Sequence, residues 1–116
     1  MTHSTTIVTL LCVLGISLGQ VLFKKAALSL ADTNELMNWI SNSWLLAAII
    51  LYGVTTVVWI WVLRQAPLHL AYPFMALAFI LVPLLAKLLL NEPIHAQTFV
   101  GGTLILVGIT ITAHAW

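Results

Sequence analysis

Polar side chains recur at helical spacing within the first long apolar stretch, and the series ends in a cation. Ser17, Gln20 and Lys24 are three and four residues apart, so in a helix they share one face, and Thr9 extends that stripe. A glutamine directed toward lipid would leave its amide hydrogens unpaired. This face is therefore predicted to point into protein or a wet cavity, where it would bind an anionic ligand.

No carboxylate lies inside the apolar runs of the chain. The three carboxylates are Asp32, Glu35 and Glu92. A small membrane pump that exchanges organic cations for protons needs a buried carboxylate, because that group must hold either a proton or the cation. The charged groups near the apolar runs are instead the cations Lys24, Lys25, Arg64 and Lys87. The sequence therefore favours an anionic ligand and a groove that needs no proton binding by a carboxylate.

The remaining reactive side chains show no catalytic or metal-binding pattern. His3, His69, His95 and His114 are dispersed, and none has H-E-x-x-H spacing. The single Cys12 can neither form an internal disulfide nor build a metal site alone. We therefore expect no enzymatic activity, no metal and no cofactor. The net charge of +1 is too small for a basic face, so no nucleic-acid partner is expected.

The elements that must position these side chains are apolar helices. Of the 116 residues, 62% are hydrophobic and only 6% are charged, whereas an ordinary soluble domain has roughly 25% charged residues. Four uncharged stretches approach the length of about 20 residues that a spanning helix needs. They are residues 6–23, 44–63, 70–86 and 96–113. The sequence predicts an all-α membrane protein with a single four-helix transmembrane domain over residues 1–116.

The first connection is the only long one, because helix one is predicted to end at Lys24 and Lys25. Within it, Asp32 followed three residues later by Glu35 resembles a capping box, and apolar residues follow from Leu36. This pattern predicts a short interfacial helix at the membrane surface. Three of the four Lys and Arg residues lie on the side of the first and third loops. The positive-inside rule then places both termini outside the cytoplasm.

Four prolines mark the second half of the chain. Pro67 and Pro93 are predicted to stand where helices three and four begin, since a proline there loses no hydrogen bond. Pro73 and Pro83 fall inside helix three, where each removes a backbone donor. Helix three is therefore the predicted bent element.

Helices three and four add further candidate residues. Tyr72 lies on a stripe of helix three that runs from His69 to Lys87, so Tyr72 is a candidate lining residue and Lys87 a second candidate cation. Gly101 and Gly108 lie seven residues apart on one face of helix four, where small residues allow close helix approach. Four helices are too few to enclose a path for a bulky solute. We therefore expect a dimer packed partly through helix four.

Several segments together resemble the four-helix proteins of the drug/metabolite transporter superfamily. They are residues 19–24 (GQVLFK), 70–73 (LAYP), 91–93 (NEP) and the glycine-containing 101–108. In the multidrug exporters of this superfamily the coupling glutamate precedes the helix-one glycine by three residues, a position that here is Ile16. The chain is instead similar to the small Arn-type flippase subunits, and Lys24 matches the helix-one lysine of that branch.

The resemblance implies a small-multidrug-resistance-like fold and a lipid-linked sugar flippase subunit of the bacterial inner membrane. The substrate would be a glycosyl-phosphoundecaprenol, such as 4-amino-4-deoxy-L-arabinose-phosphoundecaprenol. Lys24 would pair with the phosphodiester, Gln20 and Ser17 would hydrogen-bond sugar or phosphate oxygens, and Tyr72 would line the groove. Lys87 looks similar to the branch's helix-three lysine. The other partners would be membrane lipids and a second small subunit, in a homodimer or a heterodimer.

Two further functions stay open on the residues alone. One is a small multidrug or metabolite exporter whose coupling group has moved, and the other is a non-transporting membrane subunit of a glycosyltransferase system. An aminosugar also raises a question of charge. Its ammonium would need a nearby anion for pairing, and the three carboxylates Asp32, Glu35 and Glu92 all fall in predicted loops.

Overall fold

The computed structural model of the chain describes residues 2–113, and its regular elements in that range are helical. The helices are α1 (His3–Ser29), α2 (Leu36–Ile40), α3 (Ser43–Gln65), α4 (Leu68–Ala71), a 3₁₀ helix (Tyr72–Leu77), α5 (Ala78–Leu90) and α6 (Ala96–Ala113). Helix α6 has the bounds that the apolar run predicts. The third spanning helix predicted from the sequence consists of α4, the 3₁₀ helix and α5 in succession.

The helices have the lengths and composition of membrane spans. Within residues 2–113, three continuous helical stretches are long and apolar enough to cross a membrane: α1, α3 and residues Leu68–Leu90. The fourth, α6, is apolar but shorter, with 18 residues; at 1.5 Å per residue it extends about 27 Å, close to the roughly 30 Å of a hydrocarbon core. The prediction of an all-α, multi-pass membrane protein is confirmed.

Helix α1 is central to the packing. It contacts α3 on one side and α5 on another, while α6 packs against the 3₁₀ helix and α5. Eight residues of α1 are buried, and none is buried along the described length of α5. The molecule measures 50 × 35 × 20 Å, so its thinnest dimension is about two helix diameters. Such a flat arrangement leaves broad apolar surfaces that lipid or a second subunit must cover.

Two glycines allow α3 to approach α1 closely. A Cβ built on Gly15 would lie 2.8 Å from Thr55 Oγ1, and one built on Gly19 would overlap the Tyr52 ring. The pair forms a G-x-x-x-G pattern, a packing signal in membrane helices. The glycine packing predicted from sequence concerned helix four alone, so this seam is an addition from the structure.

The predicted end of helix one is wrong. Helix α1 continues through Lys24 and Lys25 to Ser29, and the N–H of its C-cap residue Leu30 donates to the Ala26 carbonyl oxygen at 3.0 Å. Lysine is a good helix former, so its charge ends the apolar run without ending the helix. Both lysines therefore lie on α1 itself and not in the following loop.

The short helix in the first loop is confirmed, but its predicted cap is wrong. Glu35 is the N-cap residue of α2 and forms no side-chain cap bond. Thr33 organises the turn instead, since its Oγ1 accepts from the Glu35 backbone N–H at 3.2 Å and from Asn38 Nδ2 at 2.9 Å. The Thr33 hydroxyl therefore forms the local side-chain-to-backbone bond that precedes α2.

Pro67, Pro73 and Pro93 differ in how closely the structure follows the helix positions predicted for them. Pro67 is the N-cap residue of α4, adjacent to the predicted helix start. Pro93 lies three residues before α6 begins at Ala96, so the predicted helix start at Pro93 is wrong. Pro73 lies near the start of the 3₁₀ helix, which interrupts α-helical bonding within helix three; the bend predicted there stays a prediction.

Pro83 leaves α5 continuous. A proline cannot donate to the carbonyl four residues earlier, which here belongs to Phe79. Gly102 of α6 packs at that point, because a Cβ built on it would lie 3.8 Å from the Phe79 oxygen and 3.6 Å from Ile80. Gly102 is thus the helix-four glycine that α5 contacts.

Candidate functional site

A pocket of about 270 Å³ lies between α1, α5 and the turn that follows α5. Its lining residues are Gln20, Val21, Lys24, Val82, Ala86, Leu90 and Glu92. Lys24 and Glu92 supply opposite formal charges, Gln20 supplies an amide, and the other residues form apolar walls. Apolar walls with a few converging polar groups are the usual composition of a ligand site.

Gln20 is held in place by α3. Its Nε2 donates a hydrogen bond to the Tyr52 hydroxyl. The Tyr52 ring also packs against Phe23, with 5.1 Å between ring centroids and an interplanar angle of 59°. Because a side-chain amide carries two N–H donors and an acceptor oxygen, the bond to Tyr52 leaves Gln20 with groups for a ligand in the pocket.

Lys24 and Lys25 have different surroundings. Lys25 Nζ lies 4.6 Å from the centroid of the Trp44 ring, a cation–π contact that ties α1 to the start of α3. Lys24 lies about 100° further around α1, with its exposed side chain on the pocket wall. The structure therefore gives the two adjacent lysines separate roles in packing and in the pocket.

A left-handed turn brings Glu92 to the pocket. Asn91 ends α5 with φ 56° and ψ 29°, a conformation that asparagine adopts more readily than most non-glycine residues. The Glu92 backbone N–H donates to the Ala86 carbonyl oxygen at 3.2 Å. The chain thus folds back over the last turn of α5, where Ala86 and Leu90 line the pocket. The turn therefore places Glu92, which was predicted to lie in a loop, beside a spanning helix.

This turn makes a testable prediction. Asn91→Gly should preserve the fold, because glycine adopts the left-handed conformation without steric cost. Asn91→Val should destabilise the protein by about 1–3 kcal/mol, since a β-branched residue is strained there. Thermal unfolding of the two variants in detergent measures the difference. Equal midpoints would show that the left-handed turn does not constrain residue 91.

The polar stripe predicted on helix one divides into two parts. Ser17 is fully buried, and its hydroxyl donates to the Val13 carbonyl oxygen at 2.8 Å. Thr9 is also fully buried and donates to the Thr5 carbonyl oxygen at 2.7 Å. Such bonding to the preceding turn satisfies the hydroxyl within its own helix. Of the predicted stripe, Ser17 thus lies in the helix packing, and Gln20 and Lys24 line the pocket; substrate binding by Ser17 stays a prediction.

The structure does not bring the helix-three candidates to this pocket. Tyr72 begins the 3₁₀ helix and is 59% exposed, and Lys87 is exposed on α5 next to the lining residue Ala86. The tyrosine at the site is Tyr52, which the sequence predictions missed. The sequence did contain an indication of this role, because Tyr52 lies midway along the apolar residues 44–63, where a tyrosine hydroxyl requires a partner.

Among residues 2–113, no group of three or more His, Cys, Asp or Glu side chains is placed to hold a metal ion. His114 lies outside the described residues. On α6, Gly108 is exposed, and a Cβ built on Gly101 would meet nothing within 4 Å in the described structure. The fold and pocket together define a small multi-pass membrane protein with a charged groove between spanning helices.

Comparison with known proteins identifies the family. No family model matches the chain, and no solved structure matches it. Curated relatives named "Probable 4-amino-4-deoxy-L-arabinose-phosphoundecaprenol flippase subunit ArnE" do match. The relative from Serratia proteamaculans (strain 568) is 41% identical over 93 residues, which is 80% of this chain and 81% of the relative. The relative from Pectobacterium atrosepticum is 34% identical over 111 residues, which is 91% of this chain and 94% of the relative.

A third relative, from Sodalis glossinidius (strain morsitans), is 36% identical over 91 residues, covering 78% of this chain and 80% of the relative. The chain belongs to the ArnE family of flippase subunits. The Arn-type resemblance inferred from residues 19–24 and 91–93 is thereby confirmed. The relatives' names describe a transport role and not catalysis.

Proposed function

We propose that the chain is a subunit of a flippase that moves a glycosyl-phosphoundecaprenol across the bacterial inner membrane. The 4-amino-4-deoxy-L-arabinose lipid in the names of its relatives is the proposed substrate. The observation that carries the proposal is the pocket between α1 and α5, where Lys24 and Gln20 stand one helical turn apart. An ammonium pairs strongly with a phosphodiester, and an amide binds sugar or phosphate oxygens.

The depth of Lys24 suits a lipid phosphate. Helix α1 has 27 residues and extends about 40 Å, some 10 Å more than the hydrocarbon core. Lys24 precedes the last residue of α1, Ser29, by five positions, or roughly 7 to 8 Å along the axis. If α1 is centred in the bilayer, the ammonium lies close to the boundary between hydrocarbon and headgroups. A lipid phosphate can reach it laterally while the polyprenyl tail stays in the membrane.

The arrangement supports a route for the headgroup. The phosphodiester would bind first at Lys24, and the sugar would then approach the Gln20–Tyr52 pair one turn deeper. Beyond this turn Ser17 is buried in helix packing, so onward passage requires the helices to rearrange. The 3₁₀ helix at Pro73 is the proposed hinge, because it departs from α-helical hydrogen bonding. Tyr72 and Lys87 are proposed to contact the headgroup after that movement.

Reconstitution tests the proposed function. Proteoliposomes holding the chain, together with any subunit that copurifies with it, are loaded with labelled lipid-linked sugar in one leaflet. Protein-dependent appearance of the headgroup in the other leaflet is the expected result. Proton-coupled efflux of organic cations would identify an exporter instead. Neither activity would favour a non-transporting subunit of a glycosyltransferase system.

We also propose that the working unit is a dimer packed partly through α6, either of two identical chains or with a related small subunit. Gly101 and Gly108, seven residues apart on one face of α6, are the small residues proposed at the interface. Replacing both with leucine should remove most of the dimer trapped by crosslinking in native membranes. Gly53→Leu is the matched control, because a Cβ built on Gly53 of α3 also meets nothing within 4 Å. An unchanged dimer in the double variant would place the interface elsewhere.

The positive-inside rule orients the proposed flippase. Lys24, Lys25 and Lys87 lie near the membrane surface that carries the first and third loops, and Arg64 lies near the opposite surface. That bias puts the charged end of the pocket at the cytoplasmic surface and both termini outside. The pocket would then receive its lipid from the cytoplasmic leaflet.

A further inference from the structure

We infer that Glu92 determines substrate specificity by binding the ammonium group of an aminosugar, while Lys24 binds the phosphodiester of the same headgroup. This inference rests on the proposed function and assigns a specificity-determining residue to its site. The observation behind it is that Lys24 and Glu92 line one pocket, from α1 and from the turn after α5.

The charges of pocket and headgroup are complementary. An aminosugar joined to a lipid by a phosphodiester carries one positive and one negative charge, and the pocket offers one carboxylate and one ammonium. A neutral sugar would cover Glu92 without supplying a cation, and an unpaired charge removed from water is costly. The same carboxylate therefore attracts the aminosugar and disfavours its neutral counterpart, as specific sites commonly do.

The size of the pocket agrees with a headgroup of one sugar. Its volume of about 270 Å³ is just below the roughly 300–1,000 Å³ of sites for drug-sized ligands. Such a space suits a single sugar phosphate whose tail remains outside. Charges on the pocket wall can then contact opposite ends of one small headgroup.

The position of Glu92 is set by its backbone and not by its carboxylate. Left-handed Asn91 and the bond from the Glu92 N–H to the Ala86 carbonyl oxygen hold the turn, and Pro93 restricts the backbone of Glu92, the residue before it. Glu92→Gln preserves these features, so the charge can be removed while the turn stays intact. Asp32 and Glu35, by contrast, lie before α2 and do not line the pocket.

A paired-substrate assay tests the inference. Proteoliposomes are prepared with 4-amino-4-deoxy-L-arabinose-phosphoundecaprenol or with its near-isosteric 4-hydroxy counterpart, L-arabinose-phosphoundecaprenol. External periodate cleaves the 2,3-diol that both sugars keep, so one reagent reports both lipids. The unmodified protein is expected to flip the amino lipid about ten- to hundredfold faster, the range of one charge-assisted hydrogen bond. Glu92→Gln should bring the two rates together, and Glu92→Asp should restore much of the preference.

The ratio of the two rates separates the possible outcomes. A purely structural role for Glu92 would lower both rates in Glu92→Gln and leave their ratio unchanged, which would overturn the inference. Equal rates in the unmodified protein would also overturn it, while leaving the proposed flippase function standing. If the unmodified protein flips neither lipid, the proposed function itself fails. Glu35→Gln is the matched control, and it is expected to keep the full preference.

Discussion

Lys24→Ala is expected to reduce flipping of the lipid-linked sugar to near background, whereas Lys25→Ala should leave most of the activity. Lys24 lines the pocket, while Lys25 Nζ lies over the Trp44 ring at 4.6 Å. Loss of a hydrogen bond to a charged phosphate is worth about 1.5–3 kcal/mol, or roughly ten- to hundredfold in rate. Loss of the cation–π contact should chiefly affect how α1 packs on α3.

The two lysine variants are compared in proteoliposomes at matched protein levels, with thermal unfolding in detergent as a second measurement. Lys24→Ala should unfold near the temperature of the unmodified protein, because its side chain is exposed. Lys24→Arg keeps the charge but carries a larger planar head, so partial activity is expected. Equal and mild losses from the two alanine variants would mean that both lysines simply anchor the helix end, and would end the phosphate-ligand proposal.

The second large effect is expected at the seam between α1 and α3. Gly19→Ala should destabilise the protein and reduce flipping, because the added Cβ would overlap the Tyr52 ring. Overpacking of this kind typically costs about 1–3 kcal/mol. Displacement of Tyr52 would also release Gln20, whose amide it holds at the pocket. A single methyl group should therefore impair both packing and transport.

Gly53→Ala is the control for this change. It introduces the same methyl group into α3, where a Cβ meets nothing within 4 Å, and alanine is the better helix former by about 1 kcal/mol. Gly53→Ala should therefore be neutral or stabilising in thermal unfolding. If Gly19→Ala and Gly53→Ala behave alike, then α1 and α3 do not pack closely at Tyr52.

Local pattern determined the helical membrane architecture. A spanning segment must satisfy its own backbone hydrogen bonds, so long uncharged runs have little alternative to helices. This is why residues 96–113 coincide with α6. The short helix α2 was predicted from a different local signal, the apolar residues that follow Glu35. Gln20 and Lys24 share a face for the same local reason, since helical periodicity acts between residues four apart. The predicted end of helix one at Lys24 and Lys25 was wrong, because a lysine ends an apolar run without breaking helical geometry.

Only the tertiary structure decided which polar groups meet. Gln20 bonds Tyr52 from another helix, 32 residues along the chain, and no periodicity within one helix specifies that pairing. Ser17 shares the helix face of Gln20 but turns its hydroxyl onto its own backbone, because close α1 packing leaves that position fully buried. Glu92 reaches the pocket of Lys24 because Asn91 reverses the chain and α5 packs on α1. Sequence therefore determined the cation and its helix face, while helix pairing brought the carboxylate to the same pocket.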